Sequence, residues 1–171
     1  LASDVDYVAY LDADLATPIS EMIRLIGVID ERHRAGVQTD AVIAARVAML
    51  GRRIERSPVR HYLGRVFATA AAVALGVPVY DTQCGAKVFR ATDVLRVALE
   101  APFVSKWAFD VELLSRLGAG HCALPGIESA IIEEPLYTWV DQPGSSLSQR
   151  AMLRAGLDVA VMALSRVRES R

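Results

Sequence analysis

The sequence predicts an α/β fold, and three observations carry the prediction. A short apolar run, Tyr7 to Leu11, ends abruptly at Asp12. A stretch of helical periodicity follows Thr17-Pro18. A second apolar run, Ala41 to Ala45, comes next. Short apolar runs that stop at polar residues read as buried strands of a parallel sheet. Thr17 offers an N-cap and Pro18 a first helical position, and Ile19, Met22, Ile23, Ile26 and Ile29 recur at helical spacing up to a stop at Gly36. Strand, helix and strand together make a βαβ crossover, which implies a right-handed parallel pairing of the two strands.

Beyond Ala45 the chain turns basic. A helix is expected from Ser57-Pro58 to Gly76, with Tyr62, Leu63, Phe67 and Ala70 on its core face. Val77 to Tyr80 and Lys87 to Phe89 read as short strands flanking the polar loop Asp81-Thr82-Gln83-Cys84-Gly85. Asp93 to Leu99 and Ala108 to Leu117 read as helices. Ile127 to Trp139 reads as one or two strands with Pro135 at an edge. A last helix, about 148–168, mixes Met152, Leu153, Leu157, Val161 and Leu164 with Arg150, Arg154, Arg166 and Arg168. That basic amphipathic pattern suits either an anionic membrane surface or packing on the sheet.

A chain of 171 residues, 53% hydrophobic, is long enough for one domain with a core. The formal net charge of −1 gives no reason to expect a nucleic-acid partner. Lys87 and Lys106 are the only lysines, so the basic residues are nearly all arginine, whose planar fork suits phosphate. A GC-rich coding bias would give the same surplus. Cys84 and Cys122 are too few for a disulfide framework or zinc site. The longest mainly apolar stretch, Val66 to Tyr80, is interrupted by Gly76 and Pro78 and is too short to span a bilayer. The chain opens on Leu1 with no signal peptide, so it is expected to begin within a longer protein.

Asp12 and Asp14 stand two apart at a strand end, so both carboxylates can point to one side of the sheet. That suits a hard divalent cation, Mg²⁺ or Mn²⁺, which takes one or two carboxylates and completes its shell with water and phosphate oxygens. Solvated aspartates that favour the following helix dipole fit the same pattern. So does the aspartate pair of a haloacid-dehalogenase-type aspartyl phosphatase, although its threonine normally follows sooner than Thr17 does here.

A second constellation is more specific: Asp81-Thr82-Gln83-Cys84-Gly85-Ala86-Lys87-Val88-Phe89, followed by Trp107-Ala108-Phe109-Asp110-Val111-Glu112-Leu113-Leu114. With Asp-Ala-Asp-Leu-Ala-Thr-Pro before it, this order resembles glycosyltransferase family 2, in its dolichyl-phosphate β-glucosyltransferase branch and polyprenyl-phosphate relatives. The resemblance covers nearly the whole chain. It implies a GT-A (Rossmann-like) fold with a mostly parallel sheet flanked by helices. It also implies a nucleotide-sugar donor (UDP-glucose in the named branch), a polyprenyl-phosphate acceptor and inversion at the anomeric carbon. Residues 1–171 would then be the C-terminal part of a single domain, with the units that bind the nucleotide base missing.

By that resemblance, Asp12 and Asp14 would hold the metal and the donor diphosphate, and Asp81 and Gln83 the sugar. Arg46, Arg56, Arg60 and Lys87 would face the acceptor phosphate, and Asp110 would be the acid near the reacting centre. Ala16 stands where some mannosyl relatives carry a glutamine ligand, which weighs against mannose. A phosphate monoester has a second pKa of about 6 and is mostly ionised at neutral pH. Asp110 would therefore position groups rather than abstract a proton. Asp110 and Glu112, two apart on a helix, should face different ways. Gly85 is expected to serve a tight turn and Cys84 to pack as a small residue. Trp139 and Tyr137 suit either a sugar site or the core. The expected location is cytoplasmic, peripheral at the inner face of the cell membrane. An inert fragment that keeps only metal and acceptor binding stands as a further alternative.

Overall fold

The computed structural model describes residues 4–55, 62, 64, 66–69, 71, 79–105, 108–121 (side chains to 118) and 130–142. The expected terminal helix 148–168 and most of the expected helix 57–76 lie outside these residues. Positions 62, 64, 66–69 and 71 are helical.

The elements, in chain order, are β1 (Tyr7–Leu11), α1 (Ile19–Arg34), β2 (Ala41–Ala45), β3 (Arg53–Glu55), β4 (Ala86–Arg90), α2 (Asp93–Ala98), α3 (Phe109–His121), β5 (Ile131–Pro135) and β6 (Thr138–Val140). Four strands form a mixed sheet in the order β1-β4-β2-β5, and β3 and β6 form a separate parallel pair. The sheet corrects one expectation. β1 and β2 run the same way but are not partners, because β4 lies between them, antiparallel to both. The parallel neighbour of β2 is β5. Pro135 ends β5, which is an edge strand among the described residues, where its missing N–H costs no ladder bond.

Alternation along the strands builds two cores. Val42, Ala44, Ala86 and Val88 pack with Met22, Leu25 and Ile29 of α1 on one face. Ala41, Ile43 and Phe89 face Val111, Leu113, Leu114 and Leu117 of α3 and Leu95 of α2 on the other. All five residues of β2 are buried, as a strand covered on both faces requires.

Several local expectations shift. Pro18, at ψ 148, occupies the N-cap position of α1, so the helix begins one residue later than expected and Thr17 is buried instead of capping. Ile19 and Ile23 are 63% and 68% exposed, while Glu21 is buried on the helix's inner face. Glu21 is retained there because its carboxylate accepts the Tyr137 and Thr138 N–H groups, at 2.9 and 3.0 Å, and pairs with Arg24. Tyr62 is exposed rather than core, whereas Ala68 and Ala71 are buried and Phe67 packs against the cluster that holds Ala71; Leu63 and Ala70 lie outside the described residues. Val79 and Tyr80 are not strand, and residues 77 and 78 lie outside the description. α3 runs to His121, beyond the expected end at Leu117.

Candidate active site

β1 delivers Asp12 at its C-terminal end, and β4 begins beside it: the Asp12 N–H donates to the Gly85 carbonyl at 2.7 Å. The contact is closer still in the side chain. A Cβ placed on residue 85 would fall inside the Asp12 carboxyl group. Gly85 is therefore required by close approach, and not by the tight turn expected of it, since its φ is not positive. Asp12 remains an exposed residue, but partial loss of water, with the charge of Asp14, raises its pKa; Arg46 and Lys87 pull the other way. Asp14 accepts the Ala16 N–H at 3.0 Å, which ties the loop down just ahead of α1.

Lys87 comes next on β4 and is fully buried. Its Nζ donates to the Cys84 carbonyl at 2.8 Å, lies 3.5 Å from Asp110 Oδ2 and sits 5.2 Å from the centre of the Tyr10 ring. A buried ammonium needs a counter-charge, and Asp110 in the first turn of α3 supplies it. Burial raises the Asp110 pKa, with Lys87 and the Val111 N–H pulling it back. Among the described residues the Tyr10 hydroxyl has no hydrogen-bond partner, and burial followed by the charges of Asp110 and Asp12 raises its pKa. The Cys84 thiol is pushed up to about 12, chiefly by burial, which fits a packed residue and not a nucleophile.

The middle loop is anchored from the opposite side. Arg46, just past β2, forks onto Asp81 with both N···O distances at 2.7 Å, and its own N–H adds a third bond at 3.1 Å. Burial lowers the guanidinium's pKa, but the charge and hydrogen bonds of Asp81 more than offset it. The Arg46 guanidinium also lies 5.4 Å from the Trp139 ring centre, and Trp139 is core. Glu133 of β5 accepts the Tyr80 and Asp81 N–H groups at 2.6 and 2.8 Å.

The structure thus brings together Asp12, Asp81, Lys87 and Asp110 through one loop, with Arg46 bound to that loop and Gln83 half-buried within it. Arg56 and Arg60 lie outside the described residues. Asp110 and Glu112 do part ways: Glu112 accepts the Val104 and Ser105 N–H groups and pairs with Arg116. Tyr10 and Glu133 escaped sequence reasoning. The available signal was polar atoms inside strand patterns, a hydroxyl on β1 and adjacent acids on β5.

No family model matches the chain. The chain is similar to a dolichyl-phosphate beta-glucosyltransferase of Trichomonas vaginalis. The two are 26% identical over 166 residues, which is 96% of this chain and 46% of the relative. The chain therefore spans about half the length of that curated relative. The matched span takes in the Asp-Ala-Asp turn, the middle loop and the start of α3.

Among the described residues no group of three or more His, Cys, Asp and Glu side chains is placed to hold a metal ion. What stands at the end of β1 is a pair of aspartates. Two carboxylates are a sufficient protein share for a hard cation that draws its other ligands from water and phosphate, so the donor set fits Mg²⁺ or Mn²⁺. No described helix is long and apolar enough to cross a membrane.

Proposed function

We propose that this chain carries the catalytic half of an inverting glycosyltransferase that moves a sugar from a nucleotide diphosphate onto a polyprenyl phosphate, with glucose from UDP-glucose the best candidate. The single observation that carries the reading is the seating of Asp12 on Gly85. It joins the aspartate pair to the 81–85 loop, and Lys87 joins that loop to Asp110. The likeness to a dolichyl-phosphate beta-glucosyltransferase supports the choice of lipid acceptor and sugar.

Asp12 and Asp14 would hold Mg²⁺ or Mn²⁺, which when bound neutralises charge on the diphosphate leaving group. The raised pKa of Asp12 suits this role, because a carboxylate that is costly to ionise alone is relieved by a cation. The acceptor phosphate is largely ionised at neutral pH and needs no strong base. Asp110, held by Lys87, then orients groups at the reacting carbon while the phosphate oxygen attacks opposite the diphosphate. Arg46 acts from behind the site: its fork on the buried Asp81 holds the loop so that Gln83 can meet sugar hydroxyls. Arg56 and Arg60 are the proposed contacts to the acceptor phosphate.

The test is to express the longest gene product containing this chain and supply a panel of nucleotide sugars with a short polyprenyl phosphate. A glycosyl lipid formed from one donor, with release of the nucleoside diphosphate, is the expected result. Trapping of an aspartyl-phosphate on Asp12, with no sugar transfer, would replace this reading with a phosphatase.

A further inference from the structure

We propose that the turn Met49-Leu50-Gly51 is a membrane-docking tip whose occupant is an anionic lipid bilayer, with Leu50 and Met49 entering the interface and Arg52 setting a positive charge at the base of the turn. Leu50 is fully exposed and Met49 is 51% exposed, at the point where the chain leaves the sheet between β2 and β3. Turns favour Gly, Asn, Asp and Ser, so two large apolar side chains at a tip are unusual. The turn is also well held. Gly51 sits at φ +79, and the Arg52 N–H returns to the Met49 carbonyl at 3.1 Å, so Leu50 is presented outward by a closed turn.

The base of the turn has matching chemistry. The Arg52 guanidinium stacks 3.4 Å from the centre of the Tyr137 ring, and Tyr137 is 49% exposed. Among the described residues no carboxylate pairs with Arg52, and its Nη1 is buried without a hydrogen-bond partner. Arg24, on the same ring, is by contrast committed to Glu21 and Glu134. An unneutralised arginine beside an exposed tyrosine and an apolar tip is the composition of a bilayer interface contact. Apart from Arg46, which Asp81 neutralises, and Arg53, which pairs with Glu55, the segment to Arg65 carries Arg52, Arg56, Arg60 and Arg65 and no further acid, so its charge complements an anionic surface. A soluble phosphate ligand would account for the arginines but not for the exposed Leu50.

This inference shares a lipid environment with the proposed function but stands on the turn alone. The test uses vesicles that contain neither polyprenyl phosphate nor nucleotide sugar, so its outcome leaves the sugar-transfer reading untouched. The 171-residue chain is floated with phosphatidylcholine vesicles, with and without phosphatidylglycerol, alongside Leu50→Glu, Leu50→Phe and Arg52→Gln. Because Leu50 makes no buried contact, unchanged thermal unfolding checks that its variants fold. Binding is expected only with phosphatidylglycerol, weakened by salt, reduced about tenfold in Leu50→Glu, reduced less in Arg52→Gln and retained in Leu50→Phe. Binding that Leu50→Glu leaves unchanged would overturn the proposal, as would no binding to either vesicle. A self-association without vesicles that Leu50→Glu abolishes would overturn it too, by making a second copy the occupant.

Discussion

The carboxyl group of Asp12 occupies the space that a side chain on residue 85 would need, so Asp12 and Gly85 form a single packing unit at the junction of β1 and β4. Any larger residue at 85 must push Asp12 out of place.

Gly85→Ala is therefore expected to weaken Mn²⁺ binding strongly while changing stability by no more than about 0.5 kcal/mol, because only the end of an exposed carboxylate side chain has to move. The backbone at Gly85 does not demand glycine, so the fold should survive. Calorimetric Mn²⁺ titration and urea unfolding of the same preparation separate the two effects. Unchanged Mn²⁺ affinity would mean that the Asp12 carboxylate does not depend on this seat.

Arg46 and Asp81, 35 residues apart, form a buried forked pair. Removing one partner strands the other charge, so Arg46→Met should cost about 3 to 5 kcal/mol, whereas replacing both by apolar residues should cost much less. Urea unfolding of Arg46→Met, Asp81→Leu and the double variant measures the coupling. Additive costs would dissolve the pair as an anchor of the loop.

Asp12 gives a pH signature. Its folded pKa is raised, first by loss of water and then by Asp14, so the stability it contributes is complete below the unfolded carboxyl value of about 3.9 and is lost as pH rises through the folded value. Asp12→Asn keeps the shape and removes the ionisation. In metal-free buffer its Tm should match the parent chain below about pH 4 and exceed it near neutrality, at the expense of Mn²⁺ affinity. A Tm difference that shrinks as pH rises would reverse the sign and contradict the assignment.

α1 separates cleanly into a buried and an exposed face. Leu25→Ala should cost about 2 to 5 kcal/mol and Ile23→Ala within about 0.5 kcal/mol, since Leu25 is fully buried and Ile23 is 68% exposed. Chemical denaturation of the two variants checks this.

The ends of β1 and β2 were legible because each apolar run stops at a charged residue, Asp12 and Arg46, and β4 was legible from Lys87-Val88-Phe89 in outline. Strand order was not. The insertion of β4 between β1 and β2 depends on antiparallel registers over long separations, such as Tyr10 with Lys87 and Ala41 with Phe89, which no local pattern records. β3 was missed because Arg53-Ile54-Glu55 offers one apolar residue, Ile54, packed beside the α1-side core. α1 misled because Ile19 and Ile23 fit the helical period as well as the buried residues do, while Glu21 is held inside by backbone donors 116 and 117 residues away. At the site, the residue types were readable from their motifs. Their pairings were not: Lys87 reads as a phosphate contact in sequence and lies buried against Asp110 in the fold.

The most direct test of the central claim is the Mn²⁺-dependent rate of sugar transfer to polyprenyl phosphate by the longest gene product containing this chain, compared with its Asp14→Asn variant. The amide oxygen of the substituted side chain can still accept the Ala16 N–H, so the loop is expected to stay in place while one charged ligand is lost. A metal clamp on the diphosphate is worth several kcal/mol in the transition state, so the rate should fall by roughly a hundredfold or more. Equal rates and an unchanged Mn²⁺ dependence in the two proteins would contradict the claim that this strand end is a glycosyl-transfer site.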